Sequence, residues 1–381
     1  MNRTKGKLGI LFSGIAAALL LPSAARAMGP QYQIVTDPVA GTLNDVVALT
    51  SNNTLGSGSV IGVSPAAPNG SVTLAILTNQ HVASGGITTV DFGQGNGVPA
   101  VGAPWGTFAL TAPLTGGVQF FKLNDAVNNP NSLSEDLAIV QAQVNPAGLA
   151  GAALAEWNLV AANPIHLTAF VPAPPAATPP AVNPPNSNVA NVAYTQVGYG
   201  LGAVYDTASN AYLATAPAGI RRFQNNTSNT VFSASVNNEG GYFEPMVTAL
   251  AQAPSANGGG LALSGDSGSP FLTQTGGPDQ DVIPSFNDPN NPNNPDIPED
   301  TVNINYTDYE SAVYWGRPNG GLAVGTVQGY IPLISTGNVA TGSLNWAQYY
   351  ASNPTLIPEP SSLCLLGLGG LAFLRRRRQV I

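Results

Sequence analysis

The chain has 381 residues, with 12 basic and 20 acidic side chains, two histidines and one cysteine, for a net charge of −8. With the two ends set aside, residues 28–357 keep four basic against 19 acidic side chains, a difference of −15, which argues against binding nucleic acid or an anionic membrane surface. A single cysteine, Cys364, excludes a disulfide framework and any two-cysteine redox or thiolate metal site.

In chain order, Arg3, Lys5 and Lys7 precede the apolar run Leu8 to Leu21, which closes on Ala25-Arg26-Ala27. A basic start, a short apolar core and a small-x-small site mark residues 1–27 as a signal peptide and predict export. From about residue 38, short runs rich in Val, Ile, Thr, Phe and Ala are bounded by Gly, Pro and Asn, with little helical periodicity. Strands are expected at Asp45 to Thr50, Ser57 to Val63, Val72 to Thr78, Val118 to Leu123 and Leu137 to Gln143. Further strands are expected at Ala193 to Tyr199, Val231 to Ser235 and Leu322 to Ile331. The Gly/Ala-rich passage Asn145 to Glu156 reads as a link between two halves, about 38–160 and 161–352. Val171 to Asn188, rich in proline, and Gly276 to Asp300, rich in Asn, Pro and Asp, read as surface insertions. The acids of the second insertion lack the spacing of a calcium loop, and no metal is expected there. Ser343 to Tyr350 reads as a short terminal helix that Ser343 can cap.

The strongest local signal is Gly265-Asp266-Ser267-Gly268-Ser269-Pro270. Glycines beside a serine permit a tight backbone course in which the Gly265 and Ser267 amides point together at a developing oxyanion. A serine is a weak nucleophile until a base takes its proton, and the base needs a group to orient it. Only two histidines are available. His81 follows the apolar strand ending at Thr78, where a side chain is presented at a strand end, whereas His166 sits between apolar neighbours and reads as structural. For the orienting acid, Asp136 stands immediately before the apolar run Leu137 to Val140, and Asp91 in Val90-Asp91-Phe92 is the competitor.

Three blocks, Thr78-Asn79-Gln80-His81, Asp136-Leu137-Ala138-Ile139 and Gly265 to Pro270, lie in that order, with 55 residues from His81 to Asp136 and 131 from Asp136 to Ser267. Together they resemble the His, Asp and Ser blocks of trypsin-like, chymotrypsin-fold serine proteases over about half the chain. The resemblance implies an all-β fold of two six-stranded antiparallel β-barrels with a short C-terminal helix, residues 28–352 forming the protease domain. It also implies endopeptidase activity on protein or peptide substrates without a cofactor: Ser267 as nucleophile, His81 as base, Asp136 as its orienter, and the Gly265 and Ser267 amides as the oxyanion hole. Val197-Gly198-Tyr199-Gly200 resembles the strand that opens the family's second barrel, and Val324 to Tyr330 is expected to pair with substrate.

Departures from the family pattern narrow the specificity. Ser269 stands where the family has glycine; this and the Thr-Asn-x-His block are similar to bacterial glutamyl endopeptidases, yet no histidine follows Ser267 to hold a substrate carboxylate. Leu261 stands six positions before Ser267, where trypsin carries an aspartate, so the expected pocket is uncharged and takes apolar or small side chains. Ile34-Val35-Thr36 has no preceding Arg or Lys, so activation by a freed amine paired to Asp266 is not expected. The rival reading is a non-catalytic surface or matrix-binding protein that keeps the fold.

The tail runs Pro358-Glu359-Pro360, then the apolar stretch Leu363 to Leu374, then Arg375 to Arg378. Over about 25 residues it resembles the PEP-CTERM sorting signal of Gram-negative bacteria, whose bearers are handled by exosortases. That implies delivery to the cell envelope or beyond it, with segment 353–381 as a transient membrane anchor held by its arginines at the cytoplasmic face.

Overall fold

The computed structural model describes residues 42–51, 54–93, 95, 110–113, 118–122, 136–162, 164–170, 192–236, 242–255, 258–273, 309–318, 320–335 and 342–354. The expected signal peptide, both insertions and the sorting tail lie outside the described residues.

Seven strands of the N-terminal half form one antiparallel sheet: β1 (Val46–Thr50), β2 (Leu55–Val63), β3 (Val72–Thr78), β4 (Thr89–Phe92), β5 (Leu110–Pro113), β6 (Val118–Lys122) and β7 (Ala138–Val144). Their spatial order is β5-β4-β1-β2-β3-β7-β6. The run Val72 to Thr78 is apolar almost throughout because β3 is covered on both faces. Leu74 and Ile76 join a core with Val47, Val140 and Phe92, while Ala75 and Leu77 turn to a second cluster with Ile139, Val313 and Ile331. A one-residue slip would exchange these two sets, so the register with β7 is tightly specified, Ile76 lying opposite Val140.

The C-terminal half contributes β8 (His166–Leu167), β9 (Ala193–Gly198), β12 (Arg222–Val236), β13 (Tyr242–Leu250), β16 (Pro270–Thr273), β17 (Tyr309–Gly316) and β18 (Val327–Pro332), in the order β16-β9-β12-β13-β18-β17-β8. Because β16 pairs with both β9 and β17, six of these strands close into a ring and β8 is left as a parallel edge on β17. Two hairpins stand beside it: β10 (Gly202–Asp206) with β11 (Ala211–Ala216), and β14 (Gln252–Ser255) with β15 (Gly258–Gly260). The sequence-based expectation of two six-stranded barrels is thus modified. Among the described residues the first half is a seven-stranded sheet whose end strands β5 and β6 do not pair with each other, and the second is the closed ring with an added edge.

Among the described residues three short α-helices complete the fold, α1 (Gln80–Ala83), α2 (Gly151–Ala162) and α3 (Ser343–Ser352), together with a 3-10 turn at Thr42–Asp45. α2 replaces the expected link. Its Ala- and Leu-rich sequence favours helix, but its two polar side chains, Glu156 and Asn158, stand on opposite sides of it and define no single polar face, so no amphipathic period reveals it. Trp157 and Val160 cap the first core. α3 lies where expected, but Gly342 is its N-cap and Ser343 is already inside it. The Ser343 hydroxyl instead receives the Ile334 amide at 2.8 Å and donates to the Pro332 carbonyl at 3.2 Å, fastening the helix to the end of β18. Among the described residues no helix is long and apolar enough to cross a membrane; the stretch Leu363 to Leu374 lies outside them.

One buried group ties stability to pH. Glu310 of β17 is wholly buried, and burial holds its carboxyl well above the usual range, an effect that the Ser59 hydroxyl across the junction offsets only in part. A raised folded-state pKa means the unfolded chain releases this proton first, so the group's contribution is fully present below about pH 4.5 and is lost as pH rises toward the folded value. Glu310→Gln is therefore expected to stabilise the protein relative to the unaltered chain, with an advantage that widens by up to about 1.4 kcal/mol per pH unit from pH 4.5 to the raised folded value and is constant beyond it. Urea titrations at a series of pH values check this, and an advantage independent of pH would refute it.

Candidate active site

The two halves meet along apolar surfaces, Val46 and Ala48 of β1 packing with Val197, Tyr199, Phe223 and Leu272 of the second half. At this junction lies the turn from Gly265 to Gly268, positioned by both sheets. Ser57 of β2 brackets it: the Ser57 amide donates to the Ser267 carbonyl at 2.8 Å, and its hydroxyl donates to the Gly265 carbonyl at 3.0 Å. The Tyr199 amide in turn donates to the Ser57 hydroxyl at 3.0 Å. From the other side, the Gly268 amide reaches the Tyr314 carbonyl at 2.9 Å and the Ser267 hydroxyl donates to the Trp315 carbonyl at 3.3 Å.

Gly265 and Gly268 are required by the backbone, with φ of +97° and +86°. Space requires Gly268 as well, since a Cβ there would lie 2.1 Å from both the Ser57 carbonyl oxygen and Thr78 Oγ1. Gly268, the residue after Ser267, is thereby packed against Thr78 at the end of β3, three residues before His81. Within the turn, the amides of Asp266, Gly268 and Ser269 bond to the carbonyls of Leu263, Tyr314 and Asp266. Those of Gly265 and Ser267 donate to no group among the described residues, which leaves two neighbouring amides able to serve an incoming oxyanion.

His81 sits in the single turn α1, and Asp136 precedes β7, which pairs with β3 so that Thr78 lies opposite Ala138. This brings the imidazole and the carboxylate together. His81 Nδ1 and Asp136 Oδ2 are 2.5 Å apart, and the His81 amide donates to Asp136 Oδ1 at 2.9 Å. Asn79 Nδ2 and the Gln80 amide both donate to the Asp136 carbonyl, at 2.9 and 3.3 Å, so the whole residue is held. The Asp136 side chain is 1% exposed and the His81 side chain 32%, so the imidazole is reachable from solvent while its partner is not. Asp91, the competing acid, is buried elsewhere and accepts from Thr50 Oγ1 at 2.8 Å and Thr89 Oγ1 at 3.0 Å, a structural role. His166 is exposed on the edge strand β8, its ring 5.7 Å from that of Tyr309.

Asp266 points away from this face into the second half. Gly198 and Gly200 form its cradle, for a Cβ on either would come within 2.6 Å of its carboxylate oxygens. The Gly200 amide donates to Oδ1 at 2.7 Å and the Leu263 amide to Oδ2 at 2.8 Å. Burial pushes the Asp266 carboxyl up to about 6, with those amides and the charges of Arg222 and Arg317 pulling the other way, so it is ionised at neutral pH. The same burial draws Arg222 down to about 10, its guanidinium donating to the carbonyls of Gly200 and Pro217.

Leu261 is wholly buried, clustered with Tyr205, Tyr212 and Leu263. The strand beside Ser267 is β17, through Tyr314 and Trp315, whereas the expected substrate-pairing segment overlaps β18, which pairs with β13 and β17. Sequence reasoning missed the parts played by Ser57, Trp315 and the Gly200 cradle. Gly56-Ser57-Gly58-Ser59 carried a signal, because small residues inside a strand mark close approach by another backbone.

No group of three or more His, Cys, Asp or Glu side chains among the described residues is placed to hold a metal ion. Residues 356–378 match the PEP-CTERM protein-sorting motif. No curated protein matches the chain by sequence. Among solved structures, the chain is similar to a Glu endopeptidase in complex with MPD (14% identity, covering 87% of this chain and 98% of that one, TM-score 0.40). It is also similar to neuropsin, a serine protease from mouse brain (12%, 83% and 96%, 0.38), and to HL collagenase (12%, 84% and 97%, 0.37).

Proposed function

We propose that the protein is an exported serine endopeptidase in which Ser267 attacks the scissile carbonyl and forms an acyl-enzyme that water then hydrolyses. The observation that carries this reading is the His81–Asp136 pair, joined by two hydrogen bonds, at the strand end against which the Ser267 turn is packed. With Nδ1 committed to Asp136, Nε2 is the His81 nitrogen that would take the Ser267 proton and later return it to the leaving amine. The buried carboxylate steadies the imidazolium formed in between. The Gly265 and Ser267 amides would stabilise the tetrahedral oxyanion, a role supported by their lack of an acceptor among the described residues and by the glycine conformation at Gly265.

Leu261, six positions before Ser267, is apolar and buried and carries no charge, which supports a preference for apolar or small side chains over Arg or Lys. The PEP-CTERM motif supports delivery to the cell envelope of a Gram-negative bacterium, with Pro358, Glu359 and Pro360 presented to an exosortase-type sorting enzyme. Fluorophosphonate labelling of the purified body tests the activity. Labelling is expected in the unaltered protein and its complete loss in Ser267→Ala. A folded protein that does not label overturns the assignment and favours a binding role for the fold. In the labelling-competent protein, a peptide-library profile dominated by Arg or Lys would overturn the pocket reading alone.

A further inference from the structure

The ring of the second half contains three buried glutamines, Gln196 on β9, Gln224 on β12 and Gln328 on β18, all wholly inaccessible to solvent. An apolar core would avoid the desolvation cost of three amides, so their bonds need an account. Gln196 and Gln224 lie directly opposite in the β9–β12 register. Gln224 Nε2 donates to Gln196 Oε1 at 2.6 Å and to Gln328 Oε1 at 3.0 Å. The Tyr330 hydroxyl adds a donor to Gln196 Oε1 at 2.8 Å and is itself 2.7 Å from the Tyr194 hydroxyl.

Both ends of this chain of amides reach the same loop. At one end, Gln196 Nε2 donates to Ser269 Oγ at 2.6 Å, two residues after Ser267. At the other, the Ala262 amide donates to Gln328 Oε1 at 2.8 Å, five residues before Ser267. Between these points lie the Gly265 and Ser267 amides, which donate to no described group; the turn between the feet is also held by Ser57 and by the Leu201 amide on the Ser264 carbonyl. Ser269 is the position where the chain departs from a glycine pattern, and a glycine there would leave Gln196 Nε2 without its acceptor.

We propose that Gln196, Gln224 and Gln328 form a buried relay that clamps both feet of the nucleophile turn, making Gln196 and Ser269 positioning residues for the Gly265 and Ser267 amides. The catalytic side of the proposal rests on the serine endopeptidase reading; the clamping of the turn does not. The relay spans three strands of the ring, so the separation of the two feet is set by the ring rather than by the loop. Such fixed donors need no reorganisation when charge develops, and a displacement of about 1 Å costs on the order of a hundredfold in rate.

Ser269→Ala, Gln196→Leu and the double variant test it with three readouts: melting temperature, the second-order rate of fluorophosphonate labelling at Ser267, and hydrogen exchange across residues 261–270. Each single variant is expected to slow labelling about tenfold and to speed exchange at the Ala262, Gly268 and Ser269 amides, with exchange across β3 unchanged. In the double variant Gln196 Nε2 is no longer left without the Ser269 hydroxyl, although Gln224 and Tyr330 still lack the Gln196 acceptor, so the loss of melting temperature should be smaller than the sum of the two single losses while labelling rate and exchange protection do not recover. Exchange in the turn of folded Ser269→Ala equal to that of the unaltered protein overturns the clamp, as does a labelling rate that recovers in the double variant. If the unaltered protein does not label, the endopeptidase reading is what fails, and exchange alone then decides the clamp in either direction.

Discussion

Asp136→Asn is expected to lower kcat/KM by about four orders of magnitude while the protein remains folded. The carboxylate now accepts twice from one residue, Oδ1 from the His81 amide and Oδ2 from the ring at Nδ1. An asparagine has one acceptor and one donor in the same place. When its oxygen serves the backbone amide, its NH2 faces Nδ1, which can then only accept, and the ring proton is driven to Nε2. That is the wrong tautomer for a base, and the imidazolium has also lost its buried counter-charge. Kinetics with a peptide ester, with circular dichroism as the fold control, measure the effect. A loss of less than about tenfold in a folded variant would remove Asp136 from the mechanism, and with it the main geometric support for the Ser267 assignment.

The second large effect concerns stability. Arg221 of the second half and Glu156 of α2 form an ion pair at 3.1 Å with both side chains inaccessible to solvent. Asp45 lies close enough to feel both: burial and then the Glu156 charge push its carboxyl up, and Arg221 draws it down. One guanidinium therefore serves two acids at the junction between the halves. A pair of this kind gains little over an apolar replacement of both partners, yet removing one partner strands a charge in a medium that solvates it poorly. Arg221→Met should lower the unfolding free energy by about 3–5 kcal/mol, and the double variant Arg221→Met/Glu156→Gln should recover much of that loss. Equilibrium urea unfolding distinguishes the cases; a single-variant loss below about 1 kcal/mol would show that the pair does not hold the halves together.

The strands of the first half were legible because both faces are buried, and continuous apolar runs such as Val72 to Thr78 advertise this. Of β12 only Val231 to Ser235 was legible: fifteen residues long, it begins Arg222-Phe223-Gln224-Asn225-Asn226, a stretch too polar to read as buried strand. Its polarity belongs to the glutamine relay and to the Gly200 cradle, neither of which exists until β9, β16 and β18 come round it. α2 escaped for another reason: its few polar residues, Glu156 and Asn158, lie on opposite sides and mark no single apolar stripe of the kind a helix against one core shows.

The sequence by itself determined the chemical inventory: two histidines, an acid before an apolar strand, a serine between glycines, and a sorting motif at the C-terminal end. It could nominate His81 over His166 and Asp136 over Asp91, because strand ends and flanking residues are local properties. Which groups meet is a long-range property, and the tertiary structure alone decided it. The pairing of β3 with β7 places Asp136 against His81, and Ser57, Trp315 and the ring around Gln196 hold the Ser267 turn in its place. Those contacts join residues up to about 200 positions apart, and no local propensity or spacing encodes such a meeting; it arises when burial of the two sheets fixes their registers and with them the turn between.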